Sequence, residues 1–168
     1  VLTVKERPKT AKTITSRAII DFLLDIPLFD KLDTEELIIL SKHMNFVDME
    51  PGEILFREGE KGDYVCFVVE GSLDVVKKSD KGEYITLATL PKGRSIGEMA
   101  VIDDFPRSAT VRVRTRGTLV FLTRQGFEII LEQHPGIGVK VLKGVSRLLS
   151  QNLRKTSSRL VDYMLPLS

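Results

Sequence analysis

The chain has 168 residues, 42% of them hydrophobic and 29% charged, a length and balance that give one domain with a buried core and exclude a disordered segment. One cysteine, Cys66, and two histidines, His43 and His134, exclude an intramolecular disulfide and leave no clustered ligands for a metal. The formal net charge of +2 is too small to argue for nucleic acid, although residues 1–17 carry five basic groups against Glu6, and residues 135–161 hold six basic residues and no acid.

Residues 1–14 are polar, contain Pro8 and show no sustained period, so they read as a basic flexible arm. Two helices are expected over 15–44. In the first, Ala18, Ile19, Phe22 and Leu23 fall at helical spacing ahead of Pro27. The second starts at Asp33, whose carboxylate can cap it while Glu36 reaches back, and Leu37, Leu40 and Met44 form its buried stripe.

Over 45–123 the period changes to two. Strand-like runs fall at 45–50, 54–58, 64–70, 72–78, 83–90, 108–114 and 118–123, with alternation in Ile54/Phe56, Val65/Phe67/Val69, Leu73/Val75 and Val111/Val113. Turn residues such as Pro51-Gly52, Gly71, Lys81-Gly82 and Gly117 separate them. Many short strands without intervening helices predict a mainly β fold, an eight-stranded antiparallel jelly-roll-like barrel with flanking helices. Two C-terminal helices follow over 124–168, the first capped by Thr123 and ending before Pro135. The last carries a stripe of Leu142, Val145, Leu149, Leu153, Thr156 and Leu160, suited to pairing with a second chain as a coiled coil. Gly138 and Gly144 within it each cost about 1 kcal/mol relative to alanine and suggest a weak hinge, which Gly144→Ala would stiffen. The longest run without Asp, Glu, Lys or Arg is 84–91, far short of the ~20 apolar residues of a membrane span, so none is expected. With no apolar signal segment at its start, the chain is expected to be cytoplasmic.

One segment interrupts the strands, PKGRSIGEMAVIDDFPR over 91–107. Gly97-Glu98-Met99-Ala100-Val101-Ile102 suits a short helix opening on a glycine, where exposed amides and the helix dipole favour an anion. Arg107 follows Pro106 and can fork onto two phosphate oxygens. Glu98 is unfavourable beside an anion unless it has a separate task, and a sugar hydroxyl is a natural donor to it. Amides and arginine for a phosphodiester, with glutamate for a ribose, make a nucleotide clasp. The plain alternative is that Glu98 complements the helix dipole and Arg107 is its surface ion-pair partner.

Gly97-Glu98-Met99-Ala100 followed by Pro106-Arg107-Ser108-Ala109-Thr110 resembles the phosphate-binding cassette of the cyclic nucleotide-binding domain family, which includes protein kinase A regulatory subunits, nucleotide-gated channels and the bacterial catabolite activator protein. Upstream, Gly52, Ile54, Glu58-Gly59-Glu60, Asp63, Tyr64, Phe67, Gly71, Leu73 and Val75 resemble the family's barrel pattern, and the likeness spans about residues 26–155. The resemblance implies that Glu98 binds the ribose 2′-hydroxyl, that Arg107 binds the cyclic phosphate, and that the backbone of Gly97, Met99 and Ala100 lines it. Ser108, with Ala109 after it, stands where members selective for cyclic GMP commonly have threonine, which favours cAMP, with cGMP possible as ligand.

A sensor module is therefore expected, not an enzyme, with no cofactor and with an unidentified downstream protein and a homodimer through the last helix as partners. No nucleophile–base pair or Gly-x4-Gly-Lys loop accompanies the cassette. One alternative is the sensor half of a Crp/Fnr-like transcription regulator. Only eight residues follow Leu160, so DNA binding by this chain alone is not expected. A second alternative is a degenerate family member serving as an interaction scaffold. Base-capping candidates are Leu153, Thr156, Leu160 and Tyr163.

Overall fold

A computed structural model describes residues 16–164; the basic arm lies outside the described residues. Helix α1 (Ser16–Leu24) ends before a 3-10 turn over Pro27–Phe29. Helix α2 (Thr34–Ser41) begins with the expected capping box: Asp33 accepts from the Glu36 amide at 2.9 Å and Glu36 from the Asp33 amide at 3.0 Å. Leu37 and Leu40 are buried on it. Met44 is not on this helix, which stops at Ser41; it opens the first strand, with its side chain in the same core.

Eight strands follow: β1 (Met44–Met49), β2 (Ile54–Phe56), β3 (Tyr64–Val68), β4 (Ser72–Lys78), β5 (Tyr84–Pro91), β6 (Ser95–Ile96), β7 (Thr110–Thr115) and β8 (Gly117–Thr123). They form two four-stranded antiparallel sheets, ordered β1-β8-β3-β6 and β2-β7-β4-β5, as the jelly-roll expectation requires. Strand β6 falls inside the segment read as an interruption; at two residues it is too short to show a period.

The first sheet separates two cores. Val65, Phe67, Val120 and Leu122 face the helices, whereas Tyr64, Cys66, Val68, Leu119 and Phe121 face the second sheet. Every residue of β3 is therefore buried, and its sequence reads as a continuous apolar run with both faces covered. The most charge-free stretch of the chain takes the opposite role. It becomes β5 at the edge of the second sheet, where Tyr84, Ile85 and Leu87 are each more than half exposed.

Helix α3 (Arg124–Gln133) is capped by Thr123, whose hydroxyl accepts from the Gly126 amide at 3.0 Å. Helix α4 (Pro135–Met164) then runs unbroken for 30 residues. Its first half is seated by Ile137, Val141 and Val145 in the helical core. Two ion pairs reinforce the seat: Lys140 reaches both Glu36 oxygens at 2.7 Å, and Arg147 forks onto Asp30 at 2.9 and 2.7 Å. The Arg147 hydrogen bonds hold the Asp30 carboxyl below its ordinary range. Leu142 and Leu149 of the expected stripe pack against this core, but Leu153, Thr156 and Leu160 are exposed.

Gly144 differs from its sequence reading. It is not a hinge: the helix passes straight through it, and a Cβ there would overlap the Leu28 carbonyl oxygen and come within 3.0 Å of its carbon. Glycine is required because the helix presses directly on the backbone of the 3-10 turn. Gly144→Ala should lower the unfolding free energy in urea by about 1–3 kcal/mol, as overpacking does; an unchanged or raised stability would refute the close approach.

Candidate functional site

The Gly97–Ala100 and Arg107 segments converge beside β3. Gly97 sits in the left-handed region at φ +81°, where glycine carries no steric penalty, and a Cβ there would run into the Arg107 guanidinium. Glu98–Val101 form a single 3-10 turn rather than a longer helix, closed by the Ala100 amide donating to the Gly97 carbonyl at 3.1 Å. Met99 is half exposed, Glu98 and Ala100 are buried, Ser108 is exposed and Ala109 is half-buried.

Arg107 is only 6% exposed. Its Nη2 donates to the Tyr64 carbonyl at 2.8 Å and its Nη1 to the Gly97 carbonyl at 3.3 Å. The guanidinium carbon lies 4.1 Å from the Phe56 ring centroid and 4.6 Å from that of Tyr64, within cation–π range. Its backbone is held as firmly. The Arg107 amide donates to Glu60 O at 2.8 Å, the Gly59 amide to Arg107 O at 2.9 Å, and Lys61 bridges Pro106. The loop over 58–63 thus clamps the arginine in place.

Arg107 and Glu98 do not form the surface ion pair of the plain alternative. Neither is on the surface, and no carboxylate lies within 4.0 Å of the guanidinium among the described residues. Burial pulls the Arg107 pKa down against the opposing influence of Tyr64 and Asp63, yet an arginine stays charged in a protein. Burial likewise pushes the Glu98 carboxyl up, opposed by its own backbone amide, Arg94 and Arg107. Glu98 Oε2 and Arg107 Nε have no hydrogen-bond partner among the described residues. Buried polar atoms of native proteins are nearly always paired, so both groups are suited to a ligand with an anionic oxygen and a hydroxyl.

Four participants were not legible in the sequence. Phe56 and the Tyr64 carbonyl hold Arg107, and only their place in the barrel pattern marks them. Arg124, at the start of α3, donates from Nη1 to Asp104 at 2.6 Å and from Nη2 to the carbonyls of Ala100 and Asp103, tying the cassette to the helices. Asn152 of α4 donates to Glu98 Oε1 at 3.5 Å. Of the expected base-capping residues, Leu153, Thr156 and Leu160 are exposed, and the Tyr163 side chain lies outside the described residues. Among the described residues no cluster of three His, Cys, Asp or Glu could hold a metal, and no helix is long and apolar enough to cross a membrane.

With this geometry in view, comparison with known proteins is direct. Residues 46–134 match the cyclic nucleotide-binding domain family, and the chain belongs to it. Over 110 residues it is 34% identical to a cAMP-dependent protein kinase regulatory subunit of Yarrowia lipolytica, covering 66% of this chain and 28% of that subunit. The chain thus spans less than a third of the length of this curated relative. A cyclic nucleotide-binding domain of Methylobacillus flagellatus superposes with a TM-score of 0.78 at 28% identity, over 88% of this chain and 83% of that one. The regulatory subunit of a cAMP-independent protein kinase A from Trypanosoma brucei superposes at 0.66 with 31% identity, over 79% and 47%.

Buried Glu98 carries a stability cost while ionised. Its folded pKa is raised, so the native state takes up a proton before the unfolded chain does, and stability at this position falls as pH rises through that range. Glu98→Gln, without nucleotide, should therefore melt above wild type at neutral pH. The gap should close as pH falls and the native carboxyl protonates. A gap independent of pH in thermal scans would contradict the burial argument.

Proposed function

We propose that this domain is a cyclic nucleotide sensor in which Arg107 grips the cyclic phosphate and Glu98 accepts from the ribose 2′-hydroxyl. The backbone of Gly97, Met99 and Ala100 frames the phosphate, and Ser108 and Ala109 flank it. The observation that carries this reading is a buried arginine with two carbonyls, two aromatic faces and, among the described residues, no acidic partner. A permanent cation placed so costs free energy unless an anion joins it, and a phosphodiester supplies the oxygens for an arginine fork. The carboxylate beside it would repel a bare anion. A ligand with both a phosphate and a vicinal hydroxyl reconciles the two.

The ligand we favour is cAMP over cGMP, because Ser108 stands where cGMP-selective members of the family commonly have threonine. The signal leaves through the C-terminal helices. Arg124 links the cassette to α3, and the distal part of α4 offers Leu153, Leu160 and Val161, each more than half exposed, as an apolar stripe for a second copy of this chain. An interaction scaffold that ignores cAMP is the second reading, since the solved relatives include a regulatory subunit described as cAMP-independent.

Calorimetric titration of nucleotide-stripped protein separates them. Micromolar or tighter binding of cAMP, with cGMP weaker, is the expected result. No heat with either nucleotide from folded, empty protein would leave the scaffold reading standing; cGMP binding more tightly would overturn the base preference alone.

A further inference from the structure

Helix α4 changes character at one residue. Up to Asn152 it has buried or half-buried side chains in every turn, and beyond it every described side chain from Leu153 to Val161 is exposed. Asn152 is half-buried, and its contact with the body of the domain is the hydrogen bond from Nδ2 to Glu98 Oε1. Seen from Glu98, the two carboxylate oxygens are divided. Oε1 receives the helix, while Oε2 is buried with no partner among the described residues. A carboxylate has lone pairs on both oxygens, so one donor on each is compatible with its chemistry.

We propose that Asn152 is a positioning residue for the sugar subsite: it orients Glu98 through Oε1 so that Oε2 meets the ribose hydroxyl, and the bound sugar in turn strengthens the hold of Glu98 on α4. This rests on the assignment of Glu98 to the ribose. The 3.5 Å separation is long for a hydrogen bond, and the contact shortens when the bound sugar fixes Glu98. Fixing Glu98 by a second donor reduces the freedom it loses when the sugar arrives, so the two contacts favour each other. Coupling of this kind is reciprocal: whatever Asn152 adds to nucleotide affinity, nucleotide adds to the docking of α4 at residue 152. The joint lies where the seated half of the helix gives way to its exposed half, so occupancy of the sugar subsite is read at the root of the free segment.

The test uses the full chain with cAMP and with 2′-deoxy-cAMP, which lacks the hydroxyl. Asn152→Ala should weaken cAMP binding about tenfold, the worth of one hydrogen bond to a charged group at its lower end, and leave 2′-deoxy-cAMP binding unchanged. Hydrogen exchange around residues 148–156 should slow on adding cAMP to wild type and not in the variant. Equal losses for both nucleotides would mean a general structural role and overturn the proposal, as would unchanged affinity. Tighter cAMP binding in the variant would make Asn152 a competitor of the sugar and overturn it too. Wild type that binds both nucleotides equally well, or binds neither, removes instead the assignment of Glu98 on which the proposal stands.

Discussion

The arrangement depends on keeping a permanently charged guanidinium inside the barrel. Arg107 has left water for two carbonyl dipoles and two aromatic faces, which compensate only part of its solvation. Much of the local structure follows from that constraint. Gly97 lacks a side chain because the guanidinium occupies the space, and the loop over 58–63 hydrogen-bonds the arginine backbone from both sides. Glu98 is buried nearby without neutralising it. The domain thus holds two ionisable groups whose burial costs stability.

The helices supply the other half of the design. The first sheet is a partition, with one face completing the barrel and the other bearing the helical core. Helix α4 is held in its first half by Gly144 against Leu28 and by the Lys140 and Arg147 ion pairs. Its described side chains from Leu153 to Val161 are exposed. The helix touches the cassette near its middle, at Glu98, and so joins the proposed ligand site to that exposed segment.

Much of this was legible in the residues. Asp33 and Glu36 announced a capping box that the structure contains, and the strand runs fell within a few residues of the observed ones because alternation and glycine turns are local signals. What failed was long-range. The most charge-free stretch, 84–91, lies exposed on a sheet edge, since burial depends on neighbours that hydropathy does not name. Gly144 looked like a flaw in a helix, but its reason is a carbonyl contributed more than a hundred residues earlier. Glu98 and Arg107 stood out because a carboxylate beside an anion site needs explaining. Arg124 and Asn152 did not, because an arginine and an asparagine on helices are ordinary until the fold shows what they touch.

The most direct test of the central claim is the affinity of Arg107→Lys for cAMP beside that of wild type. Lysine keeps the charge but has neither the fork nor the flat face that Phe56 and Tyr64 receive. With thermal unfolding used to show that the variant is folded, a loss of about 30-fold or more is expected, in line with losing charged hydrogen bonds in a buried site. Affinity close to wild type would mean that a point charge suffices, and that the buried guanidinium is not what holds the phosphate.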